Sequence, residues 1–235
     1  QKLSKRNGDA SYEDLINKGY LTEAVLNYIA LLGWSPGGER EIYTLPEMVK
    51  VFDISGISKS PAIFDNNKLD WINGEYIRAM SLEKFHEIAL PWIKKGVKSE
   101  TDTKLIAEVL QPRCVKLSDI PEQLDFIDKL PDYSADLYVS KKMKTNYQNS
   151  LSSLKEAKAV LEKLTDWTRD NIHEALFGLA ASLQVKNGIV LWPVRVALSG
   201  KQFTPGGAVE IAVMLGRDES LSRIDKGIEL LKKVQ

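Results

Sequence analysis

Lys2 and Lys5 flank Ser4 near the start of the chain, in Lys2-Leu3-Ser4-Lys5-Arg6-Asn7-Gly8-Asp9. Three cations and a Gly-Asp turn in so short a stretch can lay ammonium groups along a polyphosphate as charge migrates during nucleotidyl transfer. The same composition also suits a solvated tail. A second dense cation run is Ser140-Lys141-Lys142-Met143-Lys144-Thr145-Asn146, and a third is Lys94/Lys95/Lys98. Either could meet phosphates or form a plain solvated face. Elsewhere the residue types and spacings assemble no self-contained active site. His86 and His173 have no His, Cys or paired carboxylates at ligand spacing, so no metal site is expected. Pro36-Gly37-Gly38 and Pro205-Gly206-Gly207 lack the strand before and the lysine after that a phosphate-cradling loop requires. Cys114, in Gln111-Pro112-Arg113-Cys114-Val115, reads as a small buried hydrophobe rather than a nucleophile.

The whole chain has 32 Lys and Arg against 32 Asp and Glu, a formal net charge of zero. That balance argues against an indiscriminate nucleic-acid binder and leaves room for one whose cations gather on a single face. A single cysteine precludes an internal disulfide and suggests a reducing compartment. No apolar run is long enough to span a bilayer, and the expected location is cytoplasmic.

Helical periodicity dominates the elements that must position these residues. Ser11 with Asp14 makes a capping box, and Gly19 should end that helix. Leu21, Ala24, Val25, Tyr28, Ile29 and Leu32 form one apolar face. Short helices are expected over Pro46–Phe52, Leu69–Arg78, Thr103–Leu110 and Ile120–Ile127, with another from Ser81 to Leu90 ending before Pro91. Four stripes follow: Leu151 to Leu164, Ile172 to Leu183, Val209 to Leu215, and Leu221 to Leu231. They predict a helical bundle. Thr204 is expected to cap a helix with Pro205 at its first position, and Asp218 to cap the last one after Gly216. Only Gly188-Ile189-Val190-Leu191-Trp192-Pro193 looks strand-like. The tryptophans 34, 71, 92, 167 and 192 read as core anchors. The fold class is mainly all-α, in two or three consecutive modules.

Several strings resemble bacterial glutamyl-tRNA synthetases, class I aminoacyl-tRNA synthetases. Lys2-Leu3-Ser4-Lys5-Arg6 is similar to their second signature motif. Tyr28 to Gly37, Ile57-Ser58-Lys59-Ser60-Pro61-Ala62-Ile63-Phe64-Asp65, Lys68 to Asn73, Trp192 to Gly200 and Thr204-Pro205-Gly206 match the family in order and spacing. The resemblance implies that the chain is the C-terminal portion of such a ligase, starting at the signature loop. It further implies a signature loop plus stem-contact domain over 1–80, and helical anticodon-binding modules over 81–140 and 141–235. The full-length parent would join glutamate to tRNA through a glutamyl-adenylate, using ATP and Mg²⁺. The Rossmann-type domain that binds ATP and glutamate has no counterpart here, so this chain alone should hold no cofactor and be inactive.

The resemblance also assigns roles. Lys5 would stabilise the ATP phosphates of the parent enzyme, with Lys2 and Ser4 supporting the loop. Arg195 falls where relatives place a base-contacting arginine, whose fork matches a pyrimidine carbonyl and whose plane stacks. Thr204 and Pro205 fall in the turn used against the first anticodon bases. Gly207 stands where some relatives carry a larger apolar residue. Arg113 resembles the arginine that reads the third anticodon base and separates glutamate from glutamine tRNA, although an arginine there suits a helix cap or a pair with Asp119 equally well. Lys116, Lys141, Lys142 and Lys144 are candidates for phosphates. The expected partner is a glutamate-accepting tRNA, with glutamine tRNA open, bound by a monomer. A helical protein-interaction scaffold is the alternative, and a steep salt dependence of tRNA binding would separate the two.

Overall fold

The computed structural model describes residues 11–58 and 63–234. Among them it holds α1 (Tyr12–Asn17), α2 (Thr22–Gly33), α3 (Leu45–Val51), α4 (Asn66–Ala79), α5 (Leu82–Gly96) and α6 (Thr103–Leu110). There follow α7 (Ile120–Leu124), α8 (Tyr147–Leu161), α9 (Arg169–Ser182), α10 (Asn187–Ser199), α11 (Ala208–Leu215) and α12 (Arg217–Lys232). The only β pairing among the described residues is two isolated bridges, Trp34 with Ile57 and Ser140 with Thr145. The all-α fold class stands. The chain divides into one compact unit of residues 1–93 and 110–121 and another of 94–109 and 122–235. The boundary falls inside α5.

In the first unit, α1 is closed at both ends by its own sequence. The Ser11 hydroxyl accepts from the Asp14 N–H at 3.1 Å, and the Asp14 carboxylate accepts from the Ser11 N–H. At the other end Gly19, at φ +81°, lets its N–H reach the Ile16 carbonyl while Tyr20 N–H reaches that of Leu15. These two bonds satisfy carbonyls that a helix end otherwise strands. Gly19 has a second duty, because a Cβ there would lie 2.8 Å from the Leu117 nitrogen. α2 packs on α4, burying Ala24, Val25, Tyr28, Leu69 and Ile72. Ile29 lies at the edge of the buried arc and is 52% exposed, not part of that face. Two buried amides tie loops to this core. Asn27 donates to the Glu41 carbonyl and accepts from the Tyr43 N–H, and Asn73 accepts from Leu21 N–H and donates to the Val115 carbonyl.

α5 continues through Pro91 rather than ending before it. The ring removes one helical hydrogen bond, to the carbonyl of Glu87. Both residues sit on the exposed face of the helix, where water can take that carbonyl, while Phe85, Ala89 and Ile93 hold the buried face.

The second unit is built around α10, which packs against α8, α9, α11 and α12. Its segment looks strand-like in the sequence because it is apolar on nearly every side: Val190, Pro193, Val194, Val196, Ala197 and Leu198 are all buried. A helix surrounded by others loses the amphipathic period by which helices are recognised. Gly200, at φ +65°, terminates it. α12 approaches closely because Gly227 has no side chain; a Cβ there would overlap the Tyr138 hydroxyl and lie 3.1 Å from Ala197 Cβ.

Buried Arg223 of α12 ties three segments of this unit together. It donates to the carbonyls of Phe126 (2.7 Å), Ile127 (2.8 Å) and Leu198 (2.8 Å), and pairs with Glu219 at 2.6 Å. Each of its three nitrogens is thereby bonded, which lets a guanidinium be buried.

Two caps differ from expectation. α11 begins at Ala208 with Gly207 as its cap, so Thr204 and Pro205 lie in the preceding turn. α12 begins at Arg217 capped by Gly216, which leaves Asp218 in the first turn with its carboxylate near the helix's positive end.

Candidate nucleic-acid interface

Arg195 projects from α10 three residues after Trp192, so the two side chains share a helix face. Its guanidinium carbon lies 4.5 Å from the Trp192 ring centroid. The indole is itself fixed, donating from Nε1 to the Leu137 carbonyl at 2.9 Å. Arg195 Nη2 donates to the Gln202 carbonyl at 2.7 Å, and Nη1 to the Thr204 hydroxyl at 3.3 Å. That hydroxyl donates onward to the Gly206 carbonyl at 2.6 Å. A planar cation is thus held on an aromatic face, and its edge organises the turn leading into α11. Arg195 is half-buried, Thr204, Pro205 and Gly206 are buried, and Gly207 is exposed.

The turn from Lys201 to Gly207 is anchored before and after the Arg195 contacts. Lys201 pairs with Asp125 and donates to the Glu122 carbonyl at 3.1 Å, and its N–H reaches the Ser199 hydroxyl at 3.2 Å. At the far end Glu210 accepts from the Gly207 N–H at 3.0 Å and pairs with Arg169 at 3.1 Å. Phe203 stands in the middle of this turn with its ring 80% exposed. Nothing in the sequence singles it out, since a lone Phe in a turn carries no motif.

Lys141, Lys142 and Lys144 are exposed together on a tight turn closed by the Ser140–Thr145 bridge. Lys144 takes a left-handed φ of 59°, and the Asn149 amide holds its carbonyl at 3.0 Å. Met143 of the same turn presses on α10 at Gly188, where a Cβ would come within 3.0 Å of its sulfur. Gly188, Trp192 and Arg195 are spaced four and three residues apart and so lie on one face of α10. The lysine turn and the Arg195 turn therefore attach to the same helix face, separated by about 10 Å of helix rise.

The remaining candidates belong to the first unit. Arg113 is exposed on a 3-10 turn, Gln111–Arg113, whose Gln111 amide caps the end of α4 at the Ile77 carbonyl (3.0 Å). Asp119, an alternative partner for Arg113, pairs with Lys116 at 3.9 Å. Between them Cys114 is fully buried, and burial with the nearby Asp119 charge pushes its thiol up to about 12. Among the tryptophans, Trp34 is buried, but Trp71 is 42% exposed beneath the Lys68 ammonium at 4.3 Å and is not a core anchor. Lys2, Ser4 and Lys5 lie outside the described residues. Among the described residues no three His, Cys, Asp or Glu side chains could share a metal ion, and no helix is long and apolar enough to cross a membrane.

A helical unit presenting a stacked arginine, a pinned turn and a lysine turn on one helix face has the makings of a reader of single-stranded nucleic acid. Residues 84–228 match the anticodon binding domain family model, and the chain belongs to that family. Residues 1–71 match the model for the catalytic domain of class I tRNA synthetases (E and Q). The particular proteins it is similar to are glutamate–tRNA ligases. That of Clostridium botulinum (strain Eklund 17B) is 59% identical over 98% of this chain and 48% of its own length. That of Clostridium tetani is 58% identical over 98% of this chain and 47% of its own. A crystal structure of a glutamate tRNA ligase from Elizabethkingia meningosepticum, in complex with its amino acid, superposes with a TM-score of 0.79 at 28% identity, covering 98% of this chain and 49% of that one. The synthetase from Elizabethkingia anophelis gives 0.77 at 29% identity, over 97% and 48%. The chain thus spans about half the length of the relatives it matches.

Proposed function

We propose that this chain binds the anticodon arm and inner corner of a glutamate-accepting tRNA, as the tRNA-recognising part of a protein that joins glutamate to that tRNA. The reading rests chiefly on Arg195, held between the Trp192 ring and the Thr204 turn in a member of the anticodon-binding family. An arginine stacked on an aromatic ring beside a pinned turn is the kind of side chain that reads the carbonyl edge of an unpaired pyrimidine. Thr204, Pro205 and Gly207 would shape the neighbouring base pocket, and Lys141, Lys142 and Lys144 would take backbone phosphates. Arg113 and Lys116 of the first unit would act at the third anticodon base and its phosphate, the position at which glutamate and glutamine tRNAs are told apart. In the ligase the activation step consumes ATP with Mg²⁺, and Lys2, Ser4 and Lys5 would meet its phosphates. The working form is a cytoplasmic monomer.

The test is a titration of this chain with purified glutamate tRNA at two salt concentrations. Binding that weakens steeply with salt supports the reading, because lysines and arginines that neutralise phosphates displace counterions. Absence of binding at low salt, or a flat salt response, would overturn it in favour of a protein-interaction scaffold. A parallel titration of an Arg113→Ala variant with glutamate and glutamine tRNAs tests the discrimination. An unchanged ratio of the two affinities removes Arg113 from the site.

A further inference from the structure

Phe203 is the most exposed large apolar side chain among the described residues, at 80%. Burying such a ring would ordinarily be a gain in stability. The turn denies it that gain, because both chain neighbours are committed elsewhere. The Gln202 carbonyl accepts from Arg195 Nη2 at 2.7 Å, while the Thr204 hydroxyl accepts from Nη1 and donates to the Gly206 carbonyl. Lys201 is tied down one residue earlier by Asp125, the Glu122 carbonyl and the Ser199 hydroxyl. The ring is therefore presented on a braced backbone, with the Arg195 guanidinium bound to the residue on either side of it.

We propose that Phe203 is a stacking platform for one unpaired base of the bound RNA, beside the base edge that Arg195 meets. This rests on the tRNA-binding reading above. The occupant must offer a flat face to the ring and be compatible with the cations of Arg195 and Lys201 at the same turn. A nucleobase carried on a phosphate backbone meets both demands, whereas an apolar protein ridge would desolvate those cations without compensation. The lysine turn attached to the same face of α10 supplies cations for the phosphates of such a strand.

The experiment compares the unaltered chain with Phe203→Ala, Phe203→Tyr and Phe203→Leu. Each is titrated with a synthetic anticodon stem-loop and with versions in which one loop nucleotide at a time is abasic. For the intact loop, Phe203→Ala should weaken binding roughly five- to a hundredfold, and Phe203→Tyr should stay within about twofold. With one particular abasic loop the Phe203→Ala loss should vanish, since the base it stacks on is already gone. The inference falls, with the tRNA reading intact, if Phe203→Ala binds as the unaltered chain does, if its loss persists with every abasic loop, or if Phe203→Leu restores full affinity. If the unaltered chain binds no stem-loop, both fall.

Discussion

Arg223 of α12 donates to the carbonyl of Leu198, in the last turn of α10, at 2.8 Å, from a position with no solvent exposure. Its other donors serve Phe126, Ile127 and Glu219. Removing the side chain strands three carbonyls in the interior. Arg223→Met should cost about 3–5 kcal/mol. Urea denaturation would show it as a fall in midpoint at unchanged slope, and a loss well below about 1 kcal/mol would mean that those carbonyls find other donors.

Arg195→Ala should weaken stem-loop binding by about 1–3 kcal/mol, the worth of a base-reading arginine. Thr204→Val removes the hydroxyl that both accepts from Arg195 and donates to Gly206, and should cost about 0.5–1.5 kcal/mol. The two share one network, so the double variant should lose less than the sum. Strict additivity, measured by titration of all three variants, would mean that Thr204 acts without Arg195.

The exposed lysine turn should register in salt dependence rather than in base preference. Replacing Lys141, Lys142 and Lys144 together by Ser should reduce the slope of log affinity against log salt by about 0.7 for each of these lysines that neutralises a phosphate of a single strand. The ranking of stem-loops with different anticodons should not change. An unaltered slope would place the turn off the RNA.

Cys114 provides a pH prediction. Burial raises its thiol to about 12 from an ordinary 9.0. The folded state thus keeps the proton that the unfolded chain releases, so stability is unaffected below about pH 9 and declines as pH rises toward 12. Cys114→Ser should flatten part of that alkaline decline. At pH 8 a thiol reagent should leave the native protein untouched and react promptly in denaturant; rapid native labelling would contradict the burial.

Elements with one buried face are legible from the chain alone. α8, α9 and α12 follow their apolar stripes, and the Ser11 box and Gly19 end α1 where the residue types require. α10 is not, because burial all round erases the period, and Pro91 reads as a stop although the hydrogen bond it removes falls on an exposed face. Arg195 and Thr204 are separate candidates in the sequence, and only the fold shows that one donates to the other. Phe203 and Arg223 are invisible there for a shared reason. Exposure and burial belong to the folded surface, and a Phe in a turn or an Arg in a helix gives no local sign of either.

The spacing of Gly188, Trp192 and Arg195 along α10 makes that helix a fixed gauge between the lysine turn and the Arg195 turn. One residue added or removed between Gly188 and Arg195 would turn the two attachment points about 100° out of phase while changing their separation by only about 1.5 Å. The tolerance is angular rather than linear. A single substitution along this stretch alters one contact, whereas a change of its length moves both turns relative to each other.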